Sequence, residues 1–303
     1  MVALGEFALI EAQGMPSEVR AGTITAVGNG LAPVDFKADT HEGESNRQRL
    51  AELLLPAQLA WLSLEHGTSV AVLDHMPSQG EKVVADAAIL TKPGSALAFT
   101  TADCVPIIVS LDPAVALAVI HAGWRSLAGG IIERAVEALL GAAAVNAGMD
   151  ENRDIGAPGN PQIMMLETQH TTTSETQHTT TSETQHTATP EIQFNAAPAS
   201  NRQLHAWIGP AIDQANYEID NATYERLLSR PAVAAQPELC FTQNRPGHWL
   251  ADLPRMAELI LLSCGLVHEN IWRSGLSTYT HPDLHSARRD GKNSGRMATF
   301  ALL

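Results

Sequence analysis

The chain has 303 residues, 45% of them hydrophobic and 17% charged, and carries a formal net charge of -14. That length and apolar content suffice for a full buried core, as one large domain or two modest ones. The acidity argues against nucleic acid and anionic membrane surfaces as partners, since both require a basic face.

Residues 1 to about 45 read as short strands and loops. The N-terminus carries Glu6 and Glu11 and lacks the basic start and apolar run of a signal peptide. Asn46 to Leu55 has helical composition and stops at Pro56, and His66-Gly67 followed by Thr-Ser-Val-Ala-Val-Leu reads as a turn into a strand.

Two apolar, β-branched runs follow, Thr100 to Leu111 and Ala114 to Ala122, on either side of Asp112-Pro113. A symmetric hairpin centred on Asp112-Pro113 sets Cys104 directly opposite His121, with Cβ atoms roughly 5 Å apart. A thiol and an imidazole at that distance permit two chemistries: two ligands of a zinc or copper site, or a thiolate and its base. Asp103 and Arg125, which flank the pair in sequence, are candidate catalytic groups.

Ser126 to Ala144 is expected to form an amphipathic helix with Leu127, Ile131, Ala135 and Leu139 on one face. From about 146 to 202 the chain changes character. Glu-Thr-Gln-His-Thr recurs with a period of eight from Glu167, Glu175 and Glu183, and composition predicts a disordered, low-complexity insertion. Its histidines, His170, His178 and His186, could chelate metal as a tract, but a plain linker is the reading composition favours.

Leu204 to Ile212 reads as a strand ending in a Gly-Pro turn, with helical patches near Tyr224 and from Asp252 to Leu266. No segment reaches the length of a membrane span. The three cysteines, Cys104, Cys240 and Cys264, are too few for a disulfide framework and point to a reducing compartment, so a cytoplasmic location is expected. The chain closes on His285 to Leu302, where a strand, a Gly-containing loop and a second strand suggest another hairpin. Arg288, Arg289, Lys292 and Arg296 put four positive charges into nine residues of an acidic protein, with Gly291 and Gly295 allowing close backbone approach. Arginine pairs of this kind suit a phosphate or another oxyanion, and Arg288 and Arg289 are the candidates.

Strands and helices intermix without strict βαβ alternation. This predicts an α+β, or mixed α/β, fold: one domain over 1-303, with mixed β-sheets flanked by helices and interrupted by the insertion. Among the twelve histidines, His66 stands out as a third ligand because it sits at the edge of a strand. His281 and His285 are four apart, with Pro282 between them making a loop more natural than a helix. His41, His75, His205, His248 and His268 have no evident partner.

Several ordered motifs resemble one family. Asn46-Arg47, Leu64-Glu-His-Gly67, Thr101-Ala-Asp-Cys-Val-Pro106, His121-Ala-Gly-Trp-Arg125, Ile208-Gly-Pro-Ala-Ile212 with Tyr217-Glu-Ile219, and Arg288-Arg-Asp-Gly with Gly295-Arg296 are similar to the laccase-domain proteins. These are also called polyphenol oxidase-like or multicopper polyphenol oxidoreductase-like proteins, and are mostly described as purine nucleoside phosphorylases with adenosine deaminase activity. The resemblance implies His66, Cys104 and His121 as ligands of a metal, usually zinc. It further implies phosphorolysis of adenosine, inosine, guanosine or methylthioadenosine, deamination of adenosine, and purine nucleosides and phosphate as partners. The chain departs from the pattern at Leu64-Glu65, at Ser126, at Ser277-Thr278 and at Ala287, while the three implied ligands are intact. A copper-dependent polyphenol oxidase and a cysteine hydrolase using Cys104 and His121 are the alternatives. Multicopper clusters, however, use His-x-His pairs, and this chain has none.

Overall fold

The structure, a computed structural model, describes residues 1–28, 33–78, 81–150 (backbone alone from 147) and 203–303. The repeat segment expected to form a disordered insertion lies outside the described residues, save that the preceding helix runs to Asp150, past the expected boundary at 146.

The N-terminal stretch forms β1 (Val2–Leu4), β2 (Phe7–Glu11) and β3 (Arg20–Gly28), antiparallel neighbours in that order. Gly5, at φ 58, supplies the left-handed residue that the two-residue turn between β1 and β2 requires. Helix α1 (His41–Leu53) starts earlier than its composition indicated. Thr40 caps it by accepting from Gly43 N at 3.0 Å, and Glu42 and Glu44 favour the positive end of the helix dipole. It ends ahead of Pro56.

Then come β4 (Gln58–Ser63), β5 (Val70–Leu73), β6 (Val83–Val84), β7 (Ala87–Leu90), β8 (Ser95–Thr101), β9 (Val105–Asp112) and β10 (Leu117–Ala122). The single helix expected over Ser126–Ala144 is two helices, α2 (Trp124–Gly129) and α3 (Ile131–Asp150). Gly130, at φ 85, ends the first in the left-handed conformation before the second begins. The expected face survives the break: Leu127, Ile131, Ala135 and Leu139 are all buried in one core cluster.

After β11 (Gln203–Ile208) lie β12 (Glu218–Asp220), α4 (Asn221–Leu228), α5 (Pro231–Ala234), α6 (Pro237–Cys240), β13 (Phe241–Arg245), β14 (His248–Ala251), α7 (Leu253–Ser263) and β15 (Ile271–Arg273). The expected C-terminal hairpin does not form. Ser286 caps a one-turn helix, α8 (Ala287–Asp290), and the last strand, β16 (Met297–Leu302), pairs with β3 and β8 far away in sequence.

The strands form a seven-stranded sheet, β1-β2-β3-β16-β8-β4-β6, a six-stranded sheet, β15-β11-β9-β10-β7-β5, and a small sheet, β12-β14-β13. Both large sheets mix parallel and antiparallel pairs, so the mixed α/β expectation holds. Side-chain alternation then fixes the layers. Ala96, Ala98 and Phe300 face Leu50 of α1 and Leu54 at its C-cap, while Leu97 and Phe99 face Ile108 and Val119 of the second sheet. Ile107, Val109 and Ile120 point the other way, onto α3 and α7. Each large sheet is thus covered on both faces, which is why β7 to β10 read as unbroken apolar runs. Among the described residues no helix is long and apolar enough to cross a membrane.

Candidate metal centre

Three chain reversals meet at one end of these sheets. Beyond β4 the chain leaves the seven-stranded sheet and reaches His66. Beyond β8 it bends at residues 102–104 to enter β9. Beyond β10 it turns into α2. Two of the turning residues are in left-handed backbone despite carrying side chains, His66 at φ 58 and Asp103 at φ 94. Such conformations persist only where surrounding bonds enforce them.

For Asp103 those bonds are visible. Its Oδ1 accepts from Thr278 Oγ1 at 2.6 Å, its Oδ2 from Arg288 N at 2.6 Å, and its carbonyl from Ile212 N at 3.0 Å. The carboxylate is committed to holding the bend in front of Cys104. For His66 the enforcing group is Asp86, fully buried at the head of β7. Asp86 accepts from His66 N at 2.8 Å and Gly67 N at 2.7 Å, and its Oδ1 also meets His121 Nδ1 at 3.0 Å. These bonds outweigh the burial that would raise its pKa, and hold the carboxyl below its ordinary value. A carboxylate only accepts, so His121 Nδ1 carries a hydrogen and Nε2 is the atom left for the cavity side.

The hairpin register corrects the sequence reading. His121 opposes Pro106 and Ala122 opposes Val105, so the turn is centred on Pro113-Ala114, not on Asp112-Pro113. Continuing the pairing sets Cys104 opposite Gly123, with His121 one diagonal step away. A shift of two along a strand keeps the face, so the thiol and the imidazole still meet. Gly123 lets the two approach: a Cβ on it would stand 3.1 Å from Cys104 Sγ, close enough to push the thiol by a few tenths of an ångström.

The ligand atoms of His66, Cys104 and His121 all lie within 4.8 Å of one another, and among the described residues this is the one group of its kind. The two imidazole rings are edge to face, with centroids 4.8 Å apart. Burial pushes the Cys104 thiol up, but hydrogen bonds from His121 and His66 outweigh it and bring the thiol down to about 6. Burial likewise opposes charge on His121, and its bonds to Asp86 and Cys104 raise it to about 9. The geometry therefore favours a thiolate, the form that binds metal.

Two imidazoles and a thiolate, with His66 exposed and His121 buried, fit the donor set of a zinc site that leaves one position open. Tetrahedral bonds of about 2.0–2.3 Å to one ion would set such atoms about 3.3–3.8 Å apart, so separations of up to 4.8 Å must close by up to about 1 Å on binding. Among the described residues no second group of this kind exists to build a copper cluster.

The group lines a cavity of about 1020 Å³ that also receives Trp61, Arg47, Arg125, Arg288 and Arg296. A smaller space of about 50 Å³ adjoins it, sharing His66, Cys104 and Arg125 and adding Tyr217. Arg125 lies over Trp124 at 4.5 Å and Arg288 over Tyr217 at 4.9 Å. Arg289 is placed elsewhere. Its guanidinium donates to the carbonyls of Thr278, Tyr279 and Leu284 and to Asp290, so it ties the C-terminal loop together instead of facing the cavity. His281 and His285 do not join the ligand group; His285 Nε2 meets Val34 O at 2.8 Å and its ring packs beneath Gly295. Of the remaining candidates, His205 stacks on Trp272 and His75 meets Asp74.

Sequence reasoning assigned no role to Asp86 or Arg47. The signal for Asp86 was present, a lone carboxylate within the apolar run Val83 to Leu90.

A family model described as multi-copper polyphenol oxidoreductase laccase matches residues 31–158 and 180–303. The chain is 30% identical over 264 residues to the purine nucleoside phosphorylase of Xylella fastidiosa strain Temecula1, covering 86% of this chain and 78% of that protein. It is 27% identical to the purine nucleoside phosphorylase YfiH of Shigella flexneri, covering 95% of this chain and 96% of that one. Its fold is similar to the crystal structure of YlmD from Geobacillus stearothermophilus, with a TM-score of 0.68 at 22% identity over 100% of this chain and 97% of the other.

Proposed function

We propose that this chain, which belongs to the multi-copper polyphenol oxidoreductase laccase family, is a metal-dependent purine nucleoside phosphorylase that also deaminates adenosine. The observation that carries the reading is the convergence of His66, Cys104 and His121 on the wall of a large cavity fringed with arginines. Relatives named purine nucleoside phosphorylase, similar over most of the chain, support the reaction class.

The three residues would hold zinc, with Asp86 orienting His121 behind them. A zinc ion bound there supplies Lewis acidity at the cavity wall. The chain's own groups do the rest. Phosphorolysis requires phosphate to be held against the sugar carbon that bears the base, so that the carbon–nitrogen bond breaks as the carbon–oxygen bond forms. Arg288 is set for that task. Its backbone nitrogen is tied to Asp103, beside Cys104, and its side chain is braced by Glu218 O at 3.2 Å and by the Tyr217 ring. A guanidinium fixed in this way loses little freedom on binding an oxyanion. Arg125, laid on Trp124 at the lip shared by both cavities, is the second cation within reach. Trp124, which lines both cavities, offers aromatic surface for a purine.

The thiolate–imidazolium pair also fits the cysteine-hydrolase reading, since it is the arrangement of an activated nucleophile. Stoichiometric zinc that is lost on Cys104→Ala argues for a ligand. Zinc content unaffected by that change argues for the nucleophile.

The test is incubation of metal-characterised protein with adenosine, with and without phosphate, following adenine, inosine and hypoxanthine. Adenine that forms only with phosphate, together with inosine that forms without it, supports both activities. No product under either condition sinks the reading.

A further inference from the structure

Sign of charge changes abruptly at the cavity. In a chain of net charge -14, five cations line it, Arg47, Lys82, Arg125, Arg288 and Arg296, against three carboxylates. Asp103 and Glu81 are held by hydrogen bonds from Thr278, Arg288 N and Ser78 N and keep their charge, so these side chains are net positive by two. A cleft so arranged concentrates anions against the field of the whole molecule.

Arg288 and Arg125 stand beside the ligand group. Arg47 does not. It projects from α1, its Nε donates to Phe36 O at 3.0 Å, and its guanidinium carbon lies 4.2 Å from the centre of the Trp61 ring. Asn46, buried next to it, donates to Asp35 O at 2.8 Å and so locks the loop bearing Phe36 onto the same helix. Trp61 pairs with Ala98 on β8, three residues before that strand ends at Thr101. At the rise of an extended strand this sets the shelf on the order of 10 Å below the end of the sheet that carries the ligand group.

Burial holds the Arg47 guanidinium below its ordinary pKa, which Glu44 and Asp35 offset in part, yet neither hydrogen-bonds its side chain among the described residues. Among the described residues its terminal nitrogens have no hydrogen-bond partner, and it lines the cavity, so an anion entering there would meet a guanidinium already held in place.

We propose that the Arg47–Trp61 shelf is a second anion subsite, remote from the phosphate co-substrate, and that the cleft accepts purine nucleosides carrying a phosphate ester, nucleoside 5′-monophosphates. This rests on the nucleoside reading above and names its substrate class. The cavity volume, about 1020 Å³, lies at the upper end of small-molecule sites, about 300–1,000 Å³, and has room for the longer ligand.

The test is calorimetric titration of the zinc-loaded full-length chain, at low salt and without phosphate, with adenosine and with adenosine 5′-monophosphate. The monophosphate is expected to bind about tenfold tighter or better, equivalent to about 1.4 kcal/mol, with the advantage shrinking as salt rises. In Arg47→Gln the ratio of the two affinities should collapse towards one, and in Arg47→Lys it should fall part of the way. Equal binding of the two ligands by the unmodified chain overturns the proposal, whatever the variants do. So does a ratio that survives Arg47→Gln, or binding of inorganic phosphate alone that Arg47→Gln removes, which would give the shelf to the co-substrate. Adenosine that neither binds nor turns over sinks the phosphorylase reading instead, so the two failures are distinguishable.

Discussion

At the level of single residues, Asp86 has the widest reach. Its carboxylate fixes the left-handed backbone at His66 and the tautomer of His121 together, so it sets two of the three ligand directions. Asp86→Asn keeps the shape but turns an amide N–H towards groups that must donate. We expect zinc affinity to fall about 10–100-fold, as when other carboxylates behind metal-bound histidines are replaced. Competition against a chromophoric chelator measures this. An unchanged affinity would mean that His121 is oriented by packing alone. Cys240 and Cys264 make a useful contrast with Cys104. Burial pushes both thiols up to about 12, and both are inert core residues.

At the level of elements, the identity of the ligand-bearing hairpin was legible in the sequence, because two apolar runs around a proline admit little else. Its register was not, because the position of Pro113 within the loop decides it, and a shift of one in the turn centre moves the facing residue by two. That shift leaves Cys104 and His121 on one face, so the inference about chemistry outlived the error in geometry. The long helix after His121 was legible as a face but not as a break, which depends on Gly130 entering the left-handed region. The C-terminal hairpin failed because β16 finds its partners in β3 and β8, contacts that no local pattern announces. Gly130→Ala tests the break. A Cβ there is strained by the backbone and stands 3.2 Å from Arg230 Nη2. We expect a loss of about 1–2 kcal/mol, read as a lower urea midpoint at an unchanged slope. An unshifted midpoint would show that α2 and α3 reconnect without cost.

At the level of the whole molecule, the two large sheets share one buried layer. Leu97, Phe99 and Met297 from the first pack with Ile108, Val119 and Trp207 from the second. Neither sheet can separate without exposing that layer, so we expect one cooperative transition in calorimetry. Two resolved transitions would divide the chain into units. The same layering places the candidate metal centre. β4, β8 and the β9–β10 hairpin all end at one rim, so His66, Cys104 and His121 reach a common point from both sheets. The candidate ligands come from β9–β10 and, far earlier in the chain, from His66, and sequence alone could bring only Cys104 and His121 together through a local hairpin.

The most direct test joins metal and chemistry in the same preparations. Zinc content and phosphate-dependent release of hypoxanthine from inosine are measured on the unmodified chain and on Cys104→Ala, with circular dichroism confirming that both are folded. The account predicts about one zinc per chain and phosphate-dependent release in the first, and loss of both in the second. Release that continues at the original rate in a folded, zinc-free Cys104→Ala would contradict it.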